Sequence, residues 1–390
     1  MAATITVRKR ILPRLRRGHQ WVFSNEVVAV EGEAQPGEVA TLTAGGKRVG
    51  SVFYHPHALI AARLLTTGEE PIDAAFYARR LSAARAYRAR ILPGAQAYRL
   101  CHGEGDFLPG LIVDWYNGHA CVQTLCAGME RALPVITELL AGELGALSVI
   151  ERNTSVLRRH EELPERTGVL FGSAPEELDI EEDGARFTVN LLGGQKTGFF
   201  FDQRDNRRAA RALASGGRVL DAYCNEGAFA VHCALGGAAA VLGLDSSAVA
   251  LERARANAAL NGLGERCRFE RGEVPELLRA LREAGERYDL IILDPPSFAH
   301  TKKAIPAAKK GYRAINEAAM RLLQRGGFLV TSSCSHHLRR DTFERLLEEA
   351  AEAAGRCLRV LEWRGQALDH PVLAAMPETA YLKCCILQIL

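Results

Sequence analysis

Between Arg218 and Cys334 the chain repeats one rhythm: a short apolar run, a turn, then a longer amphipathic stretch. RVLDAYC, AAAVLGLD, RCRFERG, YDLIILD and GFLVTSSC are the strand-like runs. Each has the length of a strand, and all but RCRFERG carry Val, Ile or Leu. Between them the 3.6-residue periodicity predicts helices over 226–236, 247–261, 274–284 and about 308–324. A further helix over 341–354 leads to RCLRVLEW, and AYLKCCILQIL closes the sequence as a strand. Strands alternating with helices build a parallel sheet covered on both faces. Ligands of such sheets bind beyond the carboxyl ends of the strands. Those ends are Asp221 to Gly227, Asp245, Glu273, Asp294 to Ser297, and Cys334.

The first 70 residues follow a different pattern. TITVRK, WVFSNEVVAV, EVATLTAG, KRVGSVFYH and LIAARLLT predict short strands punctuated by Gly, Pro and Asn, as in a small β-barrel. Asp73 to Leu92 has helical periodicity and is stopped by Pro93-Gly94. YRLCHGEGDFLPGLIVDWY and HACVQTLC predict a hairpin, followed by a helix around 129–142 and the strand LSVIERN. The organisation read from these patterns is a β-barrel over 1–72, an α+β unit over 73–180 and an α/β domain over 181–390. No internal repeat or low-complexity tract interrupts it.

Composition narrows the class. Of 390 residues, 48% are hydrophobic and 24% charged, which supports a sizeable core. No stretch approaches the roughly 18 apolar residues of a membrane span. MAATITVRKR lacks the apolar segment of a secretory signal, so the expected location is the cytoplasm. The ten cysteines form no C-x-x-C pair, and their spacing predicts no structural metal site. Net charge is only +3, but it is unevenly spread. Arg8, Lys9, Arg10, Arg14, Arg16 and Arg17 share one window without an acid, and Trp21 and Phe23 follow. Lys302, Lys303, Lys309, Lys310 and Arg313 form a second run with no acid between Asp294 and Glu317. Many charge runs are solvated surface. Two of them, one beside aromatics and one beside the candidate site, point to a polyanionic partner.

The first turn of the α/β domain selects among cofactors. Asp245 ends the second strand, and a carboxylate there can accept both hydroxyl hydrogens of an adenosine ribose. Nicotinamide dinucleotides use the same device, but their pyrophosphate needs close backbone approach and hence G-x-G-x-x-G. The turn here is DAYCNEGAF, with one glycine, Gly227, and a carboxylate, Glu226, that would repel a diphosphate. It suits S-adenosylmethionine. Asp221 and Tyr223 before that glycine, Ser246 after Asp245, and Glu273 past the third strand complete the candidate cofactor set. Glu273 also reads as a helix N-terminal acid before VPELLRAL.

Asp294-Pro295-Pro296-Ser297 follows YDLIIL. Two prolines stiffen the turn and leave carbonyls without a local N–H. A rigid carboxylate plus a carbonyl can grip the amidine edge of a base, so Asp294, Pro295, Pro296 and Ser297 are candidate substrate contacts. D-P-P turns also serve enzymes that methylate exocyclic amines, so the motif names a nucleobase class. The following strand is expected beside it, which would bring Cys334 next to Asp294. A thiolate added to carbon 6 of a pyrimidine makes carbon 5 an enamine carbon able to take a methyl group. A thiol of pKa ~8.5 is only a few per cent ionised at pH 7, so the site should lower that value. His336 and His337 each read as turn or packing residues as readily as proton carriers.

These residues resemble the bacterial 23S ribosomal RNA cytosine-carbon-5 methyltransferases of the large-subunit methyltransferase I type. The stretches that carry the resemblance are GGQKTGFFFDQRDNR over 193–207, the D-P-P turn, S-C-S, DHP at 369–371 and the terminal YLK strand. RRGHQWVFSNEV resembles the opening of a PUA domain, an RNA-binding β-barrel. The resemblance implies a class I, Rossmann-like methyltransferase domain with an N-terminal PUA barrel and a central α+β domain. It implies Cys334 as nucleophile and Asp294 as the group holding the cytosine. It also implies a hairpin over 193–207 in which Lys196, Thr197, Phe199, Gln203 and Arg204 approach cofactor or substrate. Arg14, Arg16, Arg17, Lys302 and Lys303 would meet 23S ribosomal RNA, naked or in an assembling particle. A homodimer stays open. Many RNA cytosine-carbon-5 methyltransferases carry a second cysteine beside the D-P-P position, where this chain reads PPSFAH, so Ser297 or a water is left to assist product release. The competing readings are amine methylation of a base, with Cys334 structural, and a non-catalytic RNA-binding protein that keeps a cofactor pocket.

Overall fold

The computed structural model describes residues 3–193, 197–299 and 302–390, with Lys302 by its backbone alone. The chain divides into two units. The first comprises Met1–Ile180, Val189–Phe201 and Leu368–Thr379; the second comprises Glu181–Thr188, Asp202–Ala367 and Ala380–Leu390.

In the first unit, β1 (Thr4–Val7), α1 (Leu12–Arg16), β2 (Trp21–Phe23), β3 (Val27–Glu31), β4 (Glu38–Ala44), β5 (Lys47–Tyr54) and β6 (Ile60–Thr66) come first. The strands form a six-stranded sheet in the order β2-β6-β5-β4-β1-β3. Alternation along β4 sends Ala40, Leu42 and Ala44 inward, where they meet Ile5, Leu15, Val22 and Val52. Two sequence readings change here. TITVRK is a strand only to Val7, because the basic run winds into a 3-10 turn and α1, with Pro13 in the first turn where its missing N–H costs nothing. WVFSNEVVAV is two strands. Ser24–Glu26 makes a turn in which the Glu26 Oε2 accepts the Phe23 N–H at 2.9 Å, a local bond that displaces ladder pairing.

The same unit continues with α2 (Ala74–Ile91), capped by the Asp73 side chain, which accepts the Phe76 N–H at 3.0 Å. Next come β7 (Ala97–His102), β8 (Leu111–Tyr116), β9 (His119–Thr124), α3 (Ala127–Gly142), β10 (Ser148–Asn153) and β11 (Arg166–Gly172). Their sheet has the order β11-β10-β9-β8-β7. The expected hairpin is the β8–β9 pair, and β7 joins its outer side antiparallel to β8. β12 (Glu177–Glu182) and β13 (Ala185–Asn190) form a separate two-stranded sheet, of which Glu181–Thr188 belong to the second unit.

The second unit holds α4 (Arg204–Ala212), β14 (Arg218–Ala222), α5 (Ala228–Leu235), β15 (Ala240–Asp245), α6 (Ala248–Leu260), β16 (Cys267–Arg271) and α7 (Val274–Glu283). It continues with β17 (Tyr288–Leu293), α8 (Ile305–Leu322), β18 (Leu323–Ser333), α9 (Arg340–Ala354), β19 (Leu358–Arg364) and β20 (Lys383–Ile389). The seven strands run β16-β15-β14-β17-β18-β20-β19, and β20 is antiparallel to both neighbours. The order reverses between β14 and β17, which opens a crevice at their carboxyl ends. Leu220, Leu244, Ile291, Leu293 and Leu329 are fully buried with Tyr312 of α8 and Phe343 of α9. Each such side chain contributes about 1.5–3 kcal/mol of transfer free energy. The doubly wound α/β fold read from periodicity is the fold observed.

The hairpin expected over 193–207 is absent from its described part. Phe201–Gln203 forms a 3-10 turn that runs straight into α4, because RDNRRAARA is composed mostly of good helix formers.

Candidate active site

β14 delivers Asp221, and the chain then turns through Tyr223 to Gly227 before α5 begins. Tyr223 (φ 66°), Asn225 (φ 48°) and Gly227 (φ 79°) all adopt left-handed backbone conformations. For Tyr223 and Asn225 that costs on the order of 1–3 kcal/mol each, strain of a kind that concentrates at ligand sites. Hydrogen bonds from neighbouring elements hold the turn. Cys224 N donates to Leu244 O at 3.0 Å, Asn225 N to Asp245 Oδ2 at 3.0 Å, and Asn257 Nδ2 to Glu226 O at 3.0 Å. A Cβ added at Gly227 would sit 3.0 Å from the Ala254 Cβ, so the helix packs against this turn without room for a larger residue.

The carboxylates converge. Asp221 is fully buried; its Oδ2 accepts the Ala230 N–H at 2.9 Å, and its Oδ1 has no hydrogen-bond partner among the described residues. Burial pushes the Asp221 carboxyl up to about 8, and Asp294 and Asp245 push in the same direction. Asp245, at the end of β15, also accepts the Ser247 N–H at 2.9 Å and remains half-exposed. Asp294 accepts from Gln203 Nε2 at 2.8 Å, while Gln203 Oε1 accepts from Asn206 at 2.6 Å. A buried orphan oxygen among three acids is matched by a cationic ligand. S-adenosylmethionine, with a sulfonium and an ammonium, fits that field, and the turn offers no phosphate cradle. Tyr223, Asp245 and Ser246 lie at the same strand ends, with Ser246 exposed. Glu273 is the residue before α7, exposed and near enough to Tyr223 to raise its phenol, after burial, to about 12.

Beside the acids stands the cysteine. β17 and β18 are parallel neighbours with Leu293 opposite Thr331, so Asp294 and Cys334 leave adjacent strand ends. Ser297 and Ser335 are joined through their hydroxyls at 2.9 Å, and the Tyr312 hydroxyl meets Ser335 Oγ at 3.0 Å. Pro295 is buried and Pro296 exposed. Cys334 is partly exposed, whereas eight of the ten cysteines are buried and Cys357 is exposed far along the chain. β20 faces this loop. Lys383 Nζ donates to Ser335 O at 2.6 Å and to Tyr381 O at 2.7 Å, and the Tyr381 ring lies 5.5 Å from that of His336. Tyr381 Oη donates to Asp202 at 2.6 Å. Burial brings the Lys383 ammonium down to about 8, and the Cys334 sulfur opposes that fall.

The other candidate residues are placed as follows. Lys196 lies outside the described residues, as does the Lys302 side chain. Thr197 and Phe199 belong to the first unit: the Thr197 hydroxyl donates to Asp114, and Phe199 N donates to the Tyr116 hydroxyl at 3.0 Å. Arg204 is buried and pairs with Glu182 at 3.2 Å, alongside Arg207. Burial alone would raise Glu182, but Arg207 and His232 overcome it and hold the carboxylate well below its usual range. Arg14 is occupied internally. Its guanidinium reaches both Glu26 oxygens, at 3.0 and 2.7 Å, and the Trp21 carbonyl at 3.0 Å. Arg16, Arg17 and Lys303 are exposed. Ser335, Tyr312, Tyr381 and Lys383 were not singled out from the sequence. YLK reads only as a terminal strand, and no local pattern reveals which strand it will join.

Comparison with known proteins agrees with this geometry. Residues 98–384 match the S-adenosylmethionine-dependent methyltransferase family, and residues 5–67 match a PUA-like domain. Ribosomal RNA large subunit methyltransferase I from Tolumonas auensis is 39% identical over 395 residues, covering 100% of both chains. The protein of the same name from Aeromonas hydrophila is 40% identical with the same coverage. A solved methyltransferase complexed with S-adenosylhomocysteine superposes with a TM-score of 0.86 at 21% identity, covering 100% of both chains, and so shares the fold. A PUA-like module, a methyltransferase sheet with its acidic crevice, and full-length relatives of one kind converge: the chain belongs to the S-adenosylmethionine-dependent methyltransferases, in the ribosomal RNA large subunit methyltransferase I family.

Proposed function

We propose that this enzyme methylates carbon 5 of a cytosine in large-subunit (23S) ribosomal RNA through a covalent bond between Cys334 and carbon 6. The observation that carries the reading is the pairing of strand ends. A partly exposed cysteine leaves β18 beside the turn that carries Asp294, and the two loops are tied by the Ser297–Ser335 hydroxyl contact at 2.9 Å. The relatives' name supplies the ribosomal RNA.

S-adenosylmethionine supplies an electrophilic methyl group when bound, with Asp221, Tyr223, Asp245 and the Gly227 turn as its holders and Ser246 and Glu273 at the rim. Asp294, oriented by Gln203, accepts from the amino edge of the cytosine, and the stiff Pro295-Pro296 turn keeps that acceptor in place. The Cys334 thiolate donates its electron pair to carbon 6, and the displaced ring electrons make carbon 5 nucleophilic. Once carbon 5 is methylated, its proton passes to a water. The electrons of that C–H bond restore the ring double bond, and the sulfur leaves as thiolate. Arg16 and Arg17 on one unit and Lys303 on the other are exposed cations for RNA phosphates. On this reading residues 1–72 bind RNA, 73–180 form the central module, and 181–390 carry catalysis, in the cytoplasm where ribosomes assemble. No helix among the described residues is long and apolar enough to cross a membrane.

The test is covalent trapping. Large-subunit RNA substituted with 5-azacytidine should become attached to the wild-type protein, in an adduct that survives denaturing electrophoresis, and not to Cys334→Ala. Methyl transfer by Cys334→Ala at the wild-type rate, without any adduct, would instead assign the site to amine methylation.

A further inference from the structure

Resting on the covalent reading above, we propose that Lys383 is the cation that holds Cys334 as a thiolate and fixes the loop presenting it. The last strand inserts antiparallel beside β18, with Lys383 directly opposite Ser333, the residue before Cys334. From that register the side chain reaches past the strand end. Its Nζ bonds the carbonyl of Ser335, the residue after Cys334, and that of Tyr381. Lys383 therefore brackets the cysteine in sequence, its backbone opposite Ser333 and its amine on Ser335. An ammonium has three N–H donors, and these two carbonyls leave one.

The electrostatic setting identifies its partner. Lys383 is half-buried, and no aspartate or glutamate among the described residues forms an ion pair with it. The anion-forming group that acts on it is the Cys334 sulfur. A desolvated ammonium is costly unless an anion compensates it, and a thiolate is that anion. The other ionisable groups around the loop cannot replace it. Tyr312 from α8, its phenol raised by burial, bonds Ser335, and Tyr381 before β20 bonds Asp202. Asp294, on the turn after β17, would oppose a thiolate. His336 is driven toward its neutral form by burial, by Lys383 and by His337. Among the described residues, Lys383 is the cation whose charge the Cys334 sulfur favours. Its role spans the covalent cycle, because the sulfur is a thiolate both before it adds to carbon 6 and when it leaves.

The test reads the thiol itself and needs no turnover. Full-length wild type, Lys383→Met and Lys383→Arg are alkylated with iodoacetamide across pH 5.5 to 10. Peptide-resolved mass spectrometry follows Cys334, with exposed Cys357 as the reference within the same chain. In wild type the Cys334 profile should lie about one pH unit below that of Cys357. Lys383→Met should move it up by about a unit and slow alkylation at pH 7 by about three- to tenfold, the smaller figure because a more basic thiolate is the better nucleophile. Lys383→Arg, which keeps the charge, should retain most of the shift. A wild-type Cys334 profile that coincides with that of Cys357 overturns the proposal, whether or not the Met variant folds. So does a folded Lys383→Met with the wild-type profile. The RNA trapping experiment separates the two ideas. An adduct with an unshifted thiol profile removes Lys383 from the mechanism and leaves the covalent reading intact. A shifted profile without an adduct does the reverse.

Discussion

The hydroxyls of Ser297 and Ser335 lie 2.9 Å apart, so the turn after Asp294 and the loop carrying Cys334 are stitched at their bases. Ser335 is fully buried and also meets Tyr312, which makes it the shared partner of two hydroxyls from two different elements. Ser335→Ala leaves both without that partner. Loss of a buried hydrogen-bonding group costs about 1–3 kcal/mol, which should show as a lower urea midpoint with an unchanged slope. Because the stitch positions the thiol relative to the base-binding turn, RNA trapping should fall more than affinity for S-adenosylhomocysteine.

Asp221 makes stability depend on pH in an unusual direction. Its carboxyl is raised to about 8 when folded, above the ordinary value of 3.8. A carboxyl with a raised pKa favours the fold while protonated. Its ionisation in the unfolded chain therefore draws stability away from about pH 4 upward, until the folded group also ionises near pH 8. Wild type without cofactor should lose stability from pH 5 to 8, and Asp221→Asn should lack that component of the slope. Thermal unfolding of both proteins across this range measures it. A parallel slope in the variant would show that the carboxyl titrates normally.

Gly227 is held by space and by backbone angle together. Its φ is 79°, and an added Cβ would lie 3.0 Å from the Ala254 Cβ and 3.3 Å from its Cα. The left-handed conformation alone costs an L-residue roughly 1–2 kcal/mol. Gly227→Ala should therefore lose at least that much in chemical denaturation. It should also weaken S-adenosylhomocysteine binding in calorimetry, since the same turn carries Asn225 onto Asp245.

Arg14 and its neighbours should separate in their effects on RNA. Arg16 and Arg17 are exposed, whereas Arg14 spends its guanidinium on Glu26 and the Trp21 carbonyl. Replacing Arg16 and Arg17 by alanine should flatten the log–log salt dependence of RNA binding by about one to two units, at roughly 0.7 per phosphate contact on single strands. Arg14→Ala should act chiefly on stability, by loosening the turn at Ser24–Glu26. Filter binding at several salt concentrations and a melting curve for each variant distinguish the two.

The strands and helices of the second unit were largely legible because burial on both faces leaves little freedom. YDLIIL has to be an inner strand, and observed β17 is Tyr288–Leu293. Helix ends were legible where a residue supplies its own cap, as Asp73 does for α2. Legibility failed where two local chemistries competed. The basic run after Val7 carries no mark that it will coil, and the SNE stretch hides its turn until Glu26 is seen bonding Phe23 N. Over 193–207 the family resemblance implied a hairpin, while the helix formers of α4 decided the outcome at its described end.

By itself the sequence determined the alternation of strands and helices, the acid-tipped strand ends and the glycine-poor turn that excludes a diphosphate. These are encoded by residues near one another in the chain, and local periodicity and turn chemistry act at that range. Only the tertiary structure decided that Arg14 is engaged by Glu26 and the Trp21 carbonyl, that Ser297 meets Ser335, and that Lys383 stands over the loop of Cys334. Each is a contact between segments brought together by sheet order and register. That order is set by how the whole core packs, which no short stretch of sequence records.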